Sequence, residues 1–286
     1  MFAWSLLLLV SAPALPPEET QSAGPPAVAE VREAVQRAIP YIEEQGVWWM
    51  EAKECSSCHR ASNMVWSLRE ARRGGFTVSE ELDAWVRWTI DDSLMVKKDD
   101  GTISGLGNKE GVAQLLIALG PAAAGEAEAA EFRGQLAALL RQDQLENGSW
   151  KPGGQLPSQK RPAAETAATT SQWLALALLN EGASAEEDAV LAKALAHAEQ
   201  NLKAVSTEWF ALRLLLAVER NDAAARARFI TALRARQQAD GGWGWLTADP
   251  SDALGTGLAL YALARAGVPR DDATVARGQQ FLVSTQ

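Results

Sequence analysis

The heptad Glu54-Cys55-Ser56-Ser57-Cys58-His59-Arg60 holds both cysteines of the chain and one of its two histidines. In CxxCH the two thiols can each add to a vinyl group of one haem, and the histidine that follows is held under the iron as an axial ligand. The spacing therefore marks an attachment site for covalent haem c, with Cys55 and Cys58 as anchors and His59 as proximal ligand. Two other chemistries use the same residue types. A structural zinc site takes four ligands, and beyond the heptad His197 is the one further cysteine or histidine. A CxxC redox pair expects thioredoxin-like strand and helix surroundings, whereas the flanking sequence reads as helix among helices.

The sixth ligand position has four candidates: Met50, Met64, Met95 and His197. A thioether there raises the reduction potential, an imidazole lowers it, and an open position admits small molecules. Met50 and Met64 lie close to the motif in sequence and need an unusual path to the opposite face of the ring. Met95 closes a segment bearing Leu82, Trp85 and Trp88 and could fold back over the motif, which makes it the candidate distal ligand. Its competing role is gap-filling in a core. His197 stands in a charged segment among Leu195, Ala196 and Ala198. Trp49 and Trp66 are candidate haem neighbours, and Arg60 a candidate partner for a propionate.

Composition and the N-terminus say where such chemistry would take place. A net charge of -9 over 286 residues argues against nucleic acid or an anionic membrane as main partner, since both reward clustered Lys and Arg. Residues 1–14, an apolar run ending in Ala12-Pro13-Ala14, read as a secretory signal that is cleaved or kept as an anchor. Residues 15–27, with four prolines, read as a disordered lead-in. No other stretch is long and apolar enough to span a membrane, so no integral membrane domain is expected. Export to the periplasm agrees with the heptad, because bacterial c-type haem is attached outside the cytoplasmic membrane. A redox partner protein of unspecified identity is implied.

The elements that must position the heptad alternate in kind. Segments 28–44, 78–95, 127–144, 185–203, 222–239 and 271–286 are amphipathic and charged; 62–73, 111–119, 166–179, 207–218 and 252–264 form the second set, which after its first member is almost free of charge. A helix with a polar face belongs on the outside, and one apolar nearly all round must be covered on most sides. Two concentric layers of helices, all-α, follow. The connections repeat as well. Gln144…Gly148-Ser149-Trp150 and Gln237…Gly241-Gly242-Trp243 both read QxxxGxW, with weaker copies at Gly46 and Trp48, at Gly101 and Ile103, and at Gln200, Ala204 and Ser206. Glycine can adopt the left-handed conformation that ends a helix, the Gln amide can bond freed backbone groups, and the indole can cover the turn.

These turns between helical hairpins resemble the QW repeats of the squalene-hopene cyclase and prenyltransferase superfamily, over residues 28–286. The resemblance implies an α/α toroid. It also implies a twelfth helix, so the sequence is read as ending before it, with residues 271–286 packed on a missing partner. Cyclases of this type protonate substrate with an Asp from DxDD, which is absent here; Asp252 stands near the corresponding place and doubles as an N-cap. Thr166, Thr169, Thr170 and Ser171 could line a polar cavity or bond back to their own helix. The Asp pairs at 91–92, 99–100 and 271–272 do not continue into DDxxD. The leading expectation is an exported haem c protein for electron transfer or sensing. The alternatives are a binding module for an apolar, isoprenoid-like ligand and a terpenoid cyclase.

Overall fold

The computed structural model describes residues 25–54, 56, 60–95, 101–105, 107–120, 127–152, 160–200 and 203–285. Among them are eleven α-helices and two isolated β-bridges. The first six are α1 (Val28–Lys53), α2 (Arg60–Arg73), α3 (Leu82–Leu94), α4 (Lys109–Leu119), α5 (Ala127–Leu140) and α6 (Ala163–Asn180). The remainder are α7 (Ala189–Ala198), α8 (Thr207–Glu219), α9 (Ala223–Arg234), α10 (Ala253–Arg265) and α11 (Ala273–Ser284). No helix among the described residues is long and apolar enough to cross a membrane.

The alternation in the sequence becomes two layers. Even-numbered helices form the inner one: α4 is buried from Lys109 to Ala118 and α8 from Thr207 to Ala217. Odd-numbered helices lie outside, and α9 buries Phe229 and Leu233 alone. Each inner helix packs on the next, α2 on α4, α4 on α6, α6 on α8 and α8 on α10, while each outer helix lies on an inner neighbour. The fold is an α/α toroid of helical hairpins.

The last hairpin meets the first. α11 lies on both α10 and α1. In the inner layer Trp66 of α2 meets Tyr261 of α10 edge to face, with ring centroids 5.2 Å apart. Arg270 donates to the carbonyl of Pro26, which is buried, so part of the presumed lead-in is held against the last hairpin. Residues 1–24, which include the signal segment, lie outside the described residues.

Both strong turn motifs build one and the same staple. Gln144 Nε2 donates to Gly148 O at 3.1 Å and to Val190 O, in the first turn of α7, at 2.9 Å. Gln237 Nε2 donates to Gly241 O and to Thr274 O, in the first turn of α11, both at 2.8 Å. Each indole is buried and donates Nε1 back to the helix just ended, Trp150 to Gln142 O and Trp243 to Leu233 O, at 2.9 Å in both cases. Gly148 and Gly241 have φ of +83° and +90°. A Cβ on Gly241 would sit 2.6 Å from the carbonyl oxygen of Arg277, so the turn backbone lies directly on the next outer helix.

The weaker copies differ. Gly46 and Trp48 sit inside α1, which continues without a turn to Lys53; Gly46 leaves room for the thioether of Met64, and Trp48 is exposed. Gly101 takes a positive φ of +71°, as a turn glycine would. Gln200 pairs with His197 Nδ1 instead of stapling a turn, and Ser206 caps α8.

The staple is expected to carry measurable stability. Gln237→Ala removes one donor from two carbonyls and should cost about 1–3 kcal/mol in urea unfolding. Gly241→Ala combines an unfavourable positive φ with displacement of α11 and should cost more than about 1 kcal/mol. Equal stability of both variants and the parent would show that the motif does not hold the hairpins.

Candidate functional site

The inner helices run parallel, because each is followed by an outer helix that returns the chain. Their first turns therefore gather at one end of the ring, where Asn63, Glu110, Glu208 and Ala253 border one chamber of about 370 Å³. Its walls are aromatic and aliphatic. Trp66 projects into the middle, 5.9 Å from Trp173 and 5.2 Å from Tyr261, both edge to face. Trp245, Leu254 and Leu258 complete the apolar surface.

Local hydrogen bonding sets the first turns in place. Glu165, buried at the start of α6, accepts Val205 N and Ser206 N at 2.9 Å and Ser206 Oγ at 2.5 Å. Ser206 Oγ also accepts Trp209 N at 3.3 Å as the N-cap of α8, so one carboxylate fixes the helix that carries Glu208. Thr207 bonds the loop that carries Trp245, through Oγ1 to Gly244 O at 2.7 Å and N to Trp245 O at 3.0 Å. Asp252 caps α10, with Oδ1 accepting Gly255 N at 2.7 Å and Oδ2 accepting Trp245 N at 2.5 Å. Its carboxylate is committed to the backbone, as the N-cap reading required. The hydroxyls of Thr166, Thr169, Thr170 and Ser171 all bond back to carbonyls one turn earlier.

The chamber end holds two buried carboxyls of opposite character. Glu208 is 7% exposed and pairs with the buried guanidinium of Arg161; it also accepts Trp173 Nε1 at 2.9 Å. Glu110 is 6% exposed and accepts the Thr170 hydroxyl. Burial, and then the neighbouring Glu208 charge, push the Glu110 carboxyl up from 4.5 to about 8, against the opposing Thr170 bond and Arg161 charge. At neutral pH the chamber thus presents Glu110 as a carboxylic acid beside the Arg161–Glu208 ion pair. Neither glutamate was singled out in the sequence. The signal was there: Glu110, Glu165 and Glu208 each put a single acid in the first turn of an otherwise nearly uncharged inner helix.

Cys55, Cys58 and His59 lie outside the described residues, as does the side chain of Arg60. Within the heptad Ser56 is described and fully buried: its N donates to Asp92 Oδ2 at 2.6 Å, and its Oγ lies 3.2 Å from Ser93 Oγ. The connection from α1 to α2 is thereby tied to the last turn of α3. Beside it a groove of about 590 Å³ runs between α1 and α3, walled by Val47, Met50, Trp85 and Trp88 and rimmed by Glu54 and Asp92. Met95 is exposed at the left-handed C-cap of α3, with its N donating to Asp91 O at 3.1 Å. Met64 is 3% exposed and packed beneath Gly46. His197 is buried on α7, which packs on α6, and burial lowers its pKa. Trp66, a candidate haem neighbour, lines the central chamber, projecting from α2 toward α6 and α10.

A ring of inner and outer helical hairpins is the architecture that the Gln-Gly-Trp turns suggested through their resemblance to the cyclase and prenyltransferase superfamily. Residues 199–285, which contain α8 to α11, match the family described as the squalene-hopene cyclase N-terminal domain. A stretch of 67 residues is 40% identical to drimenyl diphosphate synthase from Streptomyces showdoensis, covering 23% of this chain and 13% of that protein. Both likenesses support a relation to that superfamily.

The raised Glu110 pKa has a signed consequence. Between about 4.5 and about 8 the folded state holds a proton that the unfolded chain has released, so raising the pH through this window favours unfolding. Glu110→Gln removes the titration. Urea unfolding of parent and variant should therefore diverge as pH rises from about 5 to 8, the parent losing ground, and run parallel above that. Parallel curves throughout would contradict the assignment.

Proposed function

We propose that this chain is an exported haem c protein built on a cyclase-like toroid, serving electron transfer or haem-based sensing, with a central chamber that holds an apolar small molecule. The observation that carries the haem reading is the heptad itself, CxxCH with both cysteines of the chain in the connection from α1 to α2. The surroundings fit the group: Val47, Met50, Trp85 and Trp88 offer apolar walls next to the anchored Ser56. Cys55 and Cys58 would hold the porphyrin and His59 the iron, which supplies one-electron exchange when bound. Export to the periplasm, through residues 1–14, belongs to the same proposal, and the redox partner is a separate protein.

Production in a host with c-type haem maturation should give a covalent haemochrome band that disappears in Cys58→Ala. Absence of covalent haem in the parent would overturn the reading. Two thioethers stand at this end, Met50 in the groove and Met95 at the tip of α3. Removing the one that ligates iron should lower the reduction potential, since thioether ligation raises it. Met50→Ala and Met95→Ala, compared by redox titration, identify it, and no change in either excludes both.

A second reading is favoured by Glu110, an acid held protonated in an aromatic chamber, together with the likeness to a drimenyl diphosphate synthase. It is proton-initiated cyclisation of an isoprenoid. Incubation with linear isoprenoids should then yield a cyclised product that Glu110→Gln abolishes, and unchanged substrate in both would remove this reading.

A further inference from the structure

Three features of the chamber point to one kind of ligand. The first is an unmet polar group. Gln114 lies one turn after Glu110 on the same face of α4, lines the chamber, and is 7% exposed. Its Oε1 is buried without a hydrogen-bond partner. A buried acceptor left unpaired is costly, and turning the carboxamide onto a donor in the chamber recovers that cost. The second is reserved space. Gly257 lines the chamber from the middle of α10, and a Cβ there would meet nothing within 4 Å. Glycine in a helix interior is unfavourable relative to alanine, so its presence keeps room that the helix itself would rather fill. The third is charge balance. Glu208 is neutralised by Arg161, and Glu70 at the rim pairs with Arg73. The polar end therefore offers a carboxylic acid that donates and an amide oxygen that accepts, with no net charge to attract an ion.

We propose that the chamber binds a neutral alcohol with an apolar body, its hydroxyl accepting from Glu110 and donating to Gln114 Oε1, and its body lying among Trp66, Trp173 and Tyr261 beside Gly257. This rests on the reading of the chamber as a site for an apolar small molecule, and it adds the functional group that such a molecule carries. The volume of about 370 Å³ holds about a dozen non-hydrogen atoms at about 30 Å³ each. That is the size of a ten-carbon alcohol. A longer tail would have to leave through the open side.

Calorimetric titration of the full chain with geraniol, the hydrocarbon of the same skeleton, and geranylamine tests this. The alcohol should bind at least about fivefold more tightly than the hydrocarbon, the worth of one to two additional hydrogen bonds. Gln114→Leu should abolish that preference by weakening alcohol binding relative to hydrocarbon binding. Gly257→Leu should abolish binding of all three with no loss of thermal stability, which places the ligand in the chamber. Alcohol affinity should also fall as pH rises past about 8, where Glu110, facing Thr170, Glu208 and Arg161, loses the proton it donates. Equal binding of alcohol and hydrocarbon, or a preference that survives Gln114→Leu, overturns the proposal and leaves the chamber as a plain apolar site. Tighter binding of the amine overturns it in favour of a cation site. Failure of all three probes to bind overturns both this inference and the chamber reading beneath it.

Discussion

The architecture depends on a side-chain amide that must satisfy two carbonyls at once. Gln144 and Gln237 each bridge the carbonyl of their own turn glycine and a carbonyl in the first turn of the next outer helix. Such a bridge is possible only if the turn backbone touches that helix, and glycine alone permits the approach. The indole two residues later seals the turn and returns its N–H to the helix just completed. Each staple therefore fixes the outer helix of the next hairpin against the turn before it. Two such steps, after α5 and after α9, hold α7 and α11 in place, and α11 in turn lies on α1.

The chamber follows from closure. Parallel inner helices bring their N-terminal first turns to one end, where helix dipoles favour carboxylates, while aromatic side chains converge there and help bury them. These two influences act in opposite directions on a carboxyl. Glu208 has the Arg161 guanidinium and the Trp173 N–H as partners. Glu110 has a single hydroxyl as partner, and there burial wins. Two glutamates of similar exposure thus have different partners, and the upward shift at Glu110 gives the chamber a donor.

Layering, helix order and both staples were legible in the sequence because they rest on periodicity and on local turn chemistry, which a sequence displays directly. The boundary of α1 was not. Gly46 looks like a turn residue, but its missing side chain makes room for Met64, a contact between residues on different helices that spacing cannot reveal. The contacts of Trp66 with Trp173 and Tyr261 are likewise between helices far apart in the chain, which closeness to the heptad in sequence does not reveal. Glu110 and Glu208 belong to no Asp-rich motif; they stand singly, 98 positions apart in the chain, on helices that both pack on α6. Asp252, by contrast, could be read as a cap from its position alone, and its bonds to Gly255 and Trp245 agree.

The central claim is that a cyclase-like toroid carries covalent haem at its first hairpin. Intact-mass measurement of the protein purified from a host that matures c-type haem, followed by peptide mapping, addresses it most directly. The account expects the mass of one haem added to the chain, surviving denaturation and recovered on the peptide that contains Cys55, Cys58 and His59. An unmodified chain mass under those conditions, or haem that is lost on denaturation, would contradict it.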